Sequence, residues 1–78
     1  MRTYTFIIEW RAPFDDRDPV ALVVRGKTEY EALCRANYLG TTHFTEAGVT
    51  DFLGNNAYCA AVFRGDVTRQ LIGAYELI

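Results

Sequence analysis

The stretch GKTEYEALCRANYLG, Gly26 to Gly40, sits between two runs of extended character, and whether it is helical sets the architecture of the whole chain. Gly26-Lys27 interrupts the run before it. Thr28-Glu29-Tyr30-Glu31 then has the form of a capping box, in which the Thr28 hydroxyl serves one free amide and Glu31 reaches back to another. A helix is predicted to begin at Glu29. At about 100° per residue, Ala32, Leu33, Ala36 and Leu39 share one narrow sector, which is the face laid on a sheet, and Gly40 reads as the stop. Tyr30, Cys34 and Tyr38, spaced i, i+4 and i+8, form a second stripe on roughly the opposite side.

Working outward toward the start of the chain, Val20 to Arg25 is apolar and β-branched, and Thr3 to Arg11 alternates. Tyr4, Phe6, Ile8 and Trp10 fall on one side and Thr5, Ile7, Glu9 and Arg11 on the other, the pattern of a half-buried strand. Between these runs, Ala12 to Pro19 is bounded by prolines and rich in aspartate, so it is a loop that closes an antiparallel hairpin. Beyond the helix, Thr41 to Ala47 is open to three readings: loop, short helical turn or irregular edge strand. Val49 to Leu53 reads as extended, Gly54-Asn55-Asn56 as a turn, Ala57 to Arg64 as an interior strand, and Thr68 to Ile78 as the last strand. The order predicts a single α+β domain over residues 1–78, with one helix packed on a mostly antiparallel sheet of four or five strands, ββαββ with a fifth strand optional.

Composition narrows what such a domain can do. The chain has 78 residues, half of them hydrophobic and 14% aromatic, and a chain of that size buries only about 60% of its unfolded surface. The core is therefore thin, rests on large rings, and would gain from homodimerisation. Ten acidic residues against eight basic ones give a net charge of -2, which argues against nucleic acid as the main partner. Met1-Arg2 leads straight into a strand, and no apolar run is long enough for a signal peptide or membrane span, so a cytoplasmic location is expected.

Few residues announce a reaction. Serine is absent, which removes serine-nucleophile mechanisms. Cys34 and Cys59 lack paired spacing and read as buried free thiols. A thiol dyad with His43, the single histidine, has no sequence mark beyond the presence of its parts. Asp15, Asp16 and Asp18 invite a cation, but the glycine and distant glutamate of a calcium loop are missing and Arg17 opposes one. Gly26-Lys27-Thr28 lacks the upstream glycine of a phosphate loop. Tyr4, Phe6, Trp10, Tyr58 and Tyr75 could stack bases if they shared an open sheet face, yet so small a domain needs rings in its core. Arg64-Gly65-Asp66, an integrin-ligand tripeptide in adhesion proteins, reads here as a tight turn between two strands. No catalytic residue, metal ligand or cofactor is expected.

Two surfaces remain as candidates for a protein partner. One is the helix face with Tyr30 and Tyr38, flanked by Glu29 and Glu31, because tyrosine offers contact area at low entropic cost. The other is the loop from Trp10 to Asp18, with Phe14 between the prolines and the carboxylates of Asp15, Asp16 and Asp18.

The strand Thr3 to Trp10, the strand Val20 to Arg25 and the helix opening Thr28-Glu29-Tyr30-Glu31-Ala32-Leu33 together resemble the layout of very small phage-borne proteins, including several anti-CRISPR inhibitors. That resemblance implies a non-enzymatic, stoichiometric inhibitor in a bacterial host, bound to a CRISPR effector complex and blocking DNA binding or nuclease recruitment. It would give Asp15, Asp16, Asp18, Glu29 and Glu31 a role against basic nucleic-acid channels. The alternative from the residues is a small nucleic-acid-binding or regulatory module that uses sheet aromatics.

Overall fold

The computed structural model describes the whole chain, Met1 to Ile78. Strand β1 (Arg2–Trp10) is followed by β2 (Val20–Gly26), helix α1 (Glu29–His43), β3 (Ala57–Arg64) and a short β4 (Glu76–Leu77). They form one four-stranded sheet in the order β3-β1-β2-β4. β1 pairs antiparallel with both β2 and β3, while β4 joins β2 in parallel at Val20 and Ala21 only. The domain is thus α+β with a mostly antiparallel sheet of four strands.

The helix forms where its cap places it. Thr28 is extended and its hydroxyl accepts from the Glu31 amide at 3.1 Å, while the Glu31 carboxylate accepts from the Lys27 amide at 3.1 Å. The buried line is narrow and small: Ala32, Ala36 and Gly40. Leu33 and Leu39 lie about 60° to either side of Ala36, so Leu33 only flanks the core and Leu39 is exposed. Gly40 does not stop the helix. A Cβ there would run into the ring of Phe52, so glycine is required for close approach, and the helix continues to His43 with Phe44 as its cap.

Large side chains from other elements fill the space that the small helix residues leave. Tyr4, Phe6, Ile8 and Trp10 of β1 and Val20, Leu22 and Val24 of β2 meet Phe44, Val49, Phe52 and Ala57. Trp10 packs edge-on against Phe44 at 4.9 Å and Phe52 at 5.3 Å between ring centroids, and its indole N–H donates to the Asp18 carbonyl at 3.0 Å.

The second half departs from the expected string of hairpins. Thr41 to Ala47 is the end of α1 and a 3-10 turn, Thr45–Ala47. The stretch read as extended up to Leu53 instead enters a π-helical turn, Phe52–Asn56. Side chains of α1 hold that turn: Asn37 accepts from the Leu53 amide at 2.7 Å and donates to the Asp51 carboxylate at 3.2 Å, and Thr41 accepts from the Phe52 amide at 3.0 Å. Asn37→Leu leaves the Leu53 amide without its acceptor and is expected to cost about 1–2 kcal/mol, read as a lowered urea midpoint with an unchanged slope.

β3 is an edge strand rather than an interior one. Its apolar composition is not matched by burial: from Tyr58 to Arg64, only Ala61 is even half-buried. After Arg64 the chain forms no hairpin. Gly65 adopts φ 83°, the Asp66 carboxylate accepts from both the amide and the hydroxyl of Thr68, and a 3-10 turn, Thr68–Gln70, follows. The segment then crosses the sheet face opposite α1 to reach the far side of β2. On that face the buried Thr5 hydroxyl donates to the Gly65 carbonyl at 2.6 Å and accepts from the Val67 amide at 3.1 Å. Thr5 and Ile7, expected on an open face, are consequently buried.

Candidate functional site

The two edges of β2 are covered unequally. β1 lines one edge throughout, but β4 reaches only Ala21, where the Ile78 amide donates to the Ala21 carbonyl at 3.3 Å. Bonding direction alternates along an antiparallel strand, so Val23 and Arg25 share the outward orientation of Ala21, and no strand lies beside them. The Arg25 carbonyl is occupied by the Arg35 guanidinium at 2.8 Å. The Val23 amide and carbonyl and the Arg25 amide are left pointing outward.

Beside this open edge runs a groove of about 500 Å³. Val23, Val24 and Arg25 form its sheet side, and Glu31, Cys34, Arg35, Tyr38 and Leu39 of α1 form its helix side. Arg35 ties the two walls together, pairing with Glu31 at 3.0 Å as well as with the Arg25 carbonyl. The Arg25 side chain makes no ion pair, so one end of the groove carries a free positive charge. The site therefore offers unpaired backbone, apolar wall and a cation at one end.

The residues named from the sequence distribute unevenly around it. Glu31 and Tyr38 line the groove, and Tyr38 is 71% exposed. Tyr30, 77% exposed, and Glu29 continue the same helix outward. The Tyr30 phenol is held above its ordinary pKa, chiefly by hydrogen bonding with the Cys34 side chain and then by the negative charge of the Cys34 thiolate form. Asp15, Asp16 and Asp18 are exposed, but their loop joins the ends of β1 and β2 that lie away from the start of α1. With seven residues in β2, the two acidic groups stand about 20 Å apart along the strand and do not make one surface. Trp10 is buried and Phe14 half-buried against it, so both rings serve the core. The groove residues that sequence reading missed are Val23, Val24, Arg25, Arg35 and Leu39, while Cys34 was marked only as part of the helix stripe; the Glu31-Arg35 spacing was the one further signal available.

Other chemical candidates are scattered. Cys34 and Cys59 are both exposed and unpaired, not buried as expected. Local desolvation pushes the Cys59 thiol up, and the Glu29 charge adds to this against a hydrogen bond with Ala61, which makes it a reluctant nucleophile at neutral pH. His43 lies 3.3 Å from Glu76, which also meets Arg17 at 3.7 Å, so it helps to clasp β4. No group of three or more His, Cys, Asp or Glu is placed to hold a metal ion, and no helix is long and apolar enough to cross a membrane. Tyr4, Phe6 and Trp10 lie in the core, which leaves no shared ring platform with Tyr58 and Tyr75. In the Arg64-Gly65-Asp66 turn, the Thr68 hydroxyl and amide hold the Asp66 carboxyl below its usual range, and that carboxylate is engaged within the chain.

Compared with protein-family models, curated proteins and solved structures, the chain matches none.

Proposed function

We propose that this chain is a non-enzymatic protein-binding module that captures an extended segment of its partner in the groove between α1 and β2. The observation that carries this reading is the uncovered edge at Val23 and Arg25 beside the exposed ring of Tyr38. Adding a strand to such an edge supplies main-chain hydrogen bonds, and alternate side chains supply specificity. The preferred segment has apolar residues at alternate positions, facing Leu39 and Tyr38, and a carboxylate at the Arg25 end.

The resemblance to small phage-borne inhibitors nominates the first partner to try, a CRISPR effector complex within the bacterial cytoplasm. The acidic loop at Asp15, Asp16 and Asp18 would then be a second contact, steering the approach to a basic channel.

Two measurements test this. Extended peptides selected by display against the folded protein are expected to protect the Val23 and Arg25 amides from hydrogen exchange, and to lose about tenfold in affinity on Tyr38→Ala, about 1.4 kcal/mol. Protection elsewhere would remove the groove as the site. Separately, the protein is titrated into target-DNA binding by an effector complex. Stoichiometric inhibition that weakens in Asp15→Lys plus Asp16→Lys supports the inhibitor role, and no inhibition rejects that partner without touching the groove. Binding to oligonucleotides that weakens steeply with salt would instead favour the nucleic-acid reading.

A further inference from the structure

The opposite edge of the sheet poses a separate question. From Ala57 to Phe63, β3 carries no charged residue, and it contains neither proline nor lysine, two common guards against edge pairing. Tyr58 and Phe63 stand 39% and 44% exposed, and nothing pairs with the strand's outer side. An edge of this kind is a template for another strand.

The backbone specifies which strand fits. The Gly65 amide donates to the Thr3 carbonyl at 2.8 Å and the Arg11 amide to the Asn56 carbonyl at 2.9 Å. Alternation from these anchors turns Phe63 and Ala61 toward β1 at one end and Tyr58 at the other. The outward-pointing groups therefore belong to Arg64 and Val62, and to Cys59 and Ala57. Their parity differs because the register shifts between Ile7 and Ile8, which leaves Ala60 without a partner.

That extra residue makes the strand complementary to itself over its full length. When a second copy runs antiparallel, with Cys59 opposite Val62 and Ala57 opposite Arg64, every outward group meets an outward group. In the same register Tyr58 falls opposite Phe63 of the second copy. Both rings lie on the face away from α1, since Tyr58 pairs with Glu9 and Phe63 with Thr5 on β1. The two Arg64 side chains end at opposite ends of the junction, so no like charges meet.

We propose that two copies of this chain join through β3 about a two-fold axis between Ala60 and Ala61, fusing their sheets into one. Eight residues make a junction about 26 Å long. With the molecule's short dimension of 17 Å, the pair loses roughly 900 Å² of surface, below the ~1,200 Å² where standard interfaces begin. The dimer is accordingly concentration-dependent, and it leaves the groove at β2 free.

Sedimentation of the intact protein from about 1 μM to about 1 mM is expected to carry the mass from 8.9 kDa toward twice that value. Phe63→Lys removes both ring pairs and should weaken association about tenfold or more. A second test fixes the register. Bonded cross-strand pairs place their Cα atoms about 5.5 Å apart, within disulfide range, so Val62→Cys in a Cys34→Ala background should give a covalent dimer through Cys59 when oxidised with diamide. Within one copy the two positions are about 10 Å apart along the strand and cannot bridge. Arg64→Cys in the same background, its Cα about 9 Å from Cys59 of the second copy in this register, should not cross-link. A monomer at every concentration overturns the proposal, and so does a dimer that ignores Phe63→Lys and cross-links equally through position 64.

Discussion

Phe52→Ala is expected to destabilise the domain by about 3–5 kcal/mol, the range for emptying a fully buried aromatic site. Phe52 has no exposed surface and joins three parts of the core, with Trp10 at 5.3 Å, Phe44 at 5.6 Å and Gly40 directly beneath it. The site cannot collapse readily, because the residues α1 brings to it are Ala32, Ala36 and Gly40, which are too short to move into the gap. A chain of 78 residues has a total stability on the order of 4–12 kcal/mol, so this variant stands near the limit of folding. Urea unfolding followed by tryptophan fluorescence is the direct check, since Trp10 borders the lost ring. A loss below about 1 kcal/mol would mean that the ring is not seated in the core as described.

Gly40→Val should cost about 3 kcal/mol, the upper end of overpacking penalties, despite the better helix propensity of valine over glycine. The new side chain enters the space of the Phe52 ring, and that ring is hemmed in by Trp10 and Phe44. The two substitutions are therefore coupled. In a Phe52→Ala background, Gly40→Val is expected to cost little or to restore stability, giving a negative interaction energy in the double-mutant cycle. Simple additivity in urea midpoints would show that Gly40 and Phe52 do not touch.

The first half of the chain was readable because each signal there is local. Thr28 and Glu31 mark the helix start within four residues, and the alternation from Tyr4 to Trp10 identifies the face that meets the core. The exposure of Tyr30 and Tyr38 follows from the same helical period. In the second half, structure depends on partners distant in the chain. Phe52 to Asn56 contains an extended-looking apolar pair and a turn triplet, yet Asn37 and Thr41 draw it into a π-helical turn. Gly40 carries the general mark of a helix end, and only the nearby Phe52 ring reveals its different purpose.

The sheet positions were hidden for a related reason. Ala57 to Arg64 has an interior strand's composition, and composition does not record how many neighbours a strand acquires. Thr5 looks solvent-facing by alternation, but the returning segment at Gly65 and Val67 covers it. The groove was half visible: Glu31 and Tyr38 were named, whereas Val23 and Arg25 gained significance only once β4 proved to stop at Leu77.

The central place of β1 also sets an order of events during synthesis. β1 leaves the ribosome before any of its neighbours, and β2 can pair with it soon afterward. Its other flank waits for β3, and the contact between Thr5 and Gly65 spans 60 positions. Until that length has been translated, the nascent hairpin shows its second flank to solvent, including the unpaired amides of Thr3, Thr5 and Ile7. Closure at such sequence separation is slow compared with hairpin formation. The interval leaves an unpaired strand edge of the kind that makes partly folded chains prone to aggregate, and slowing translation between β2 and β3 would lengthen that exposure.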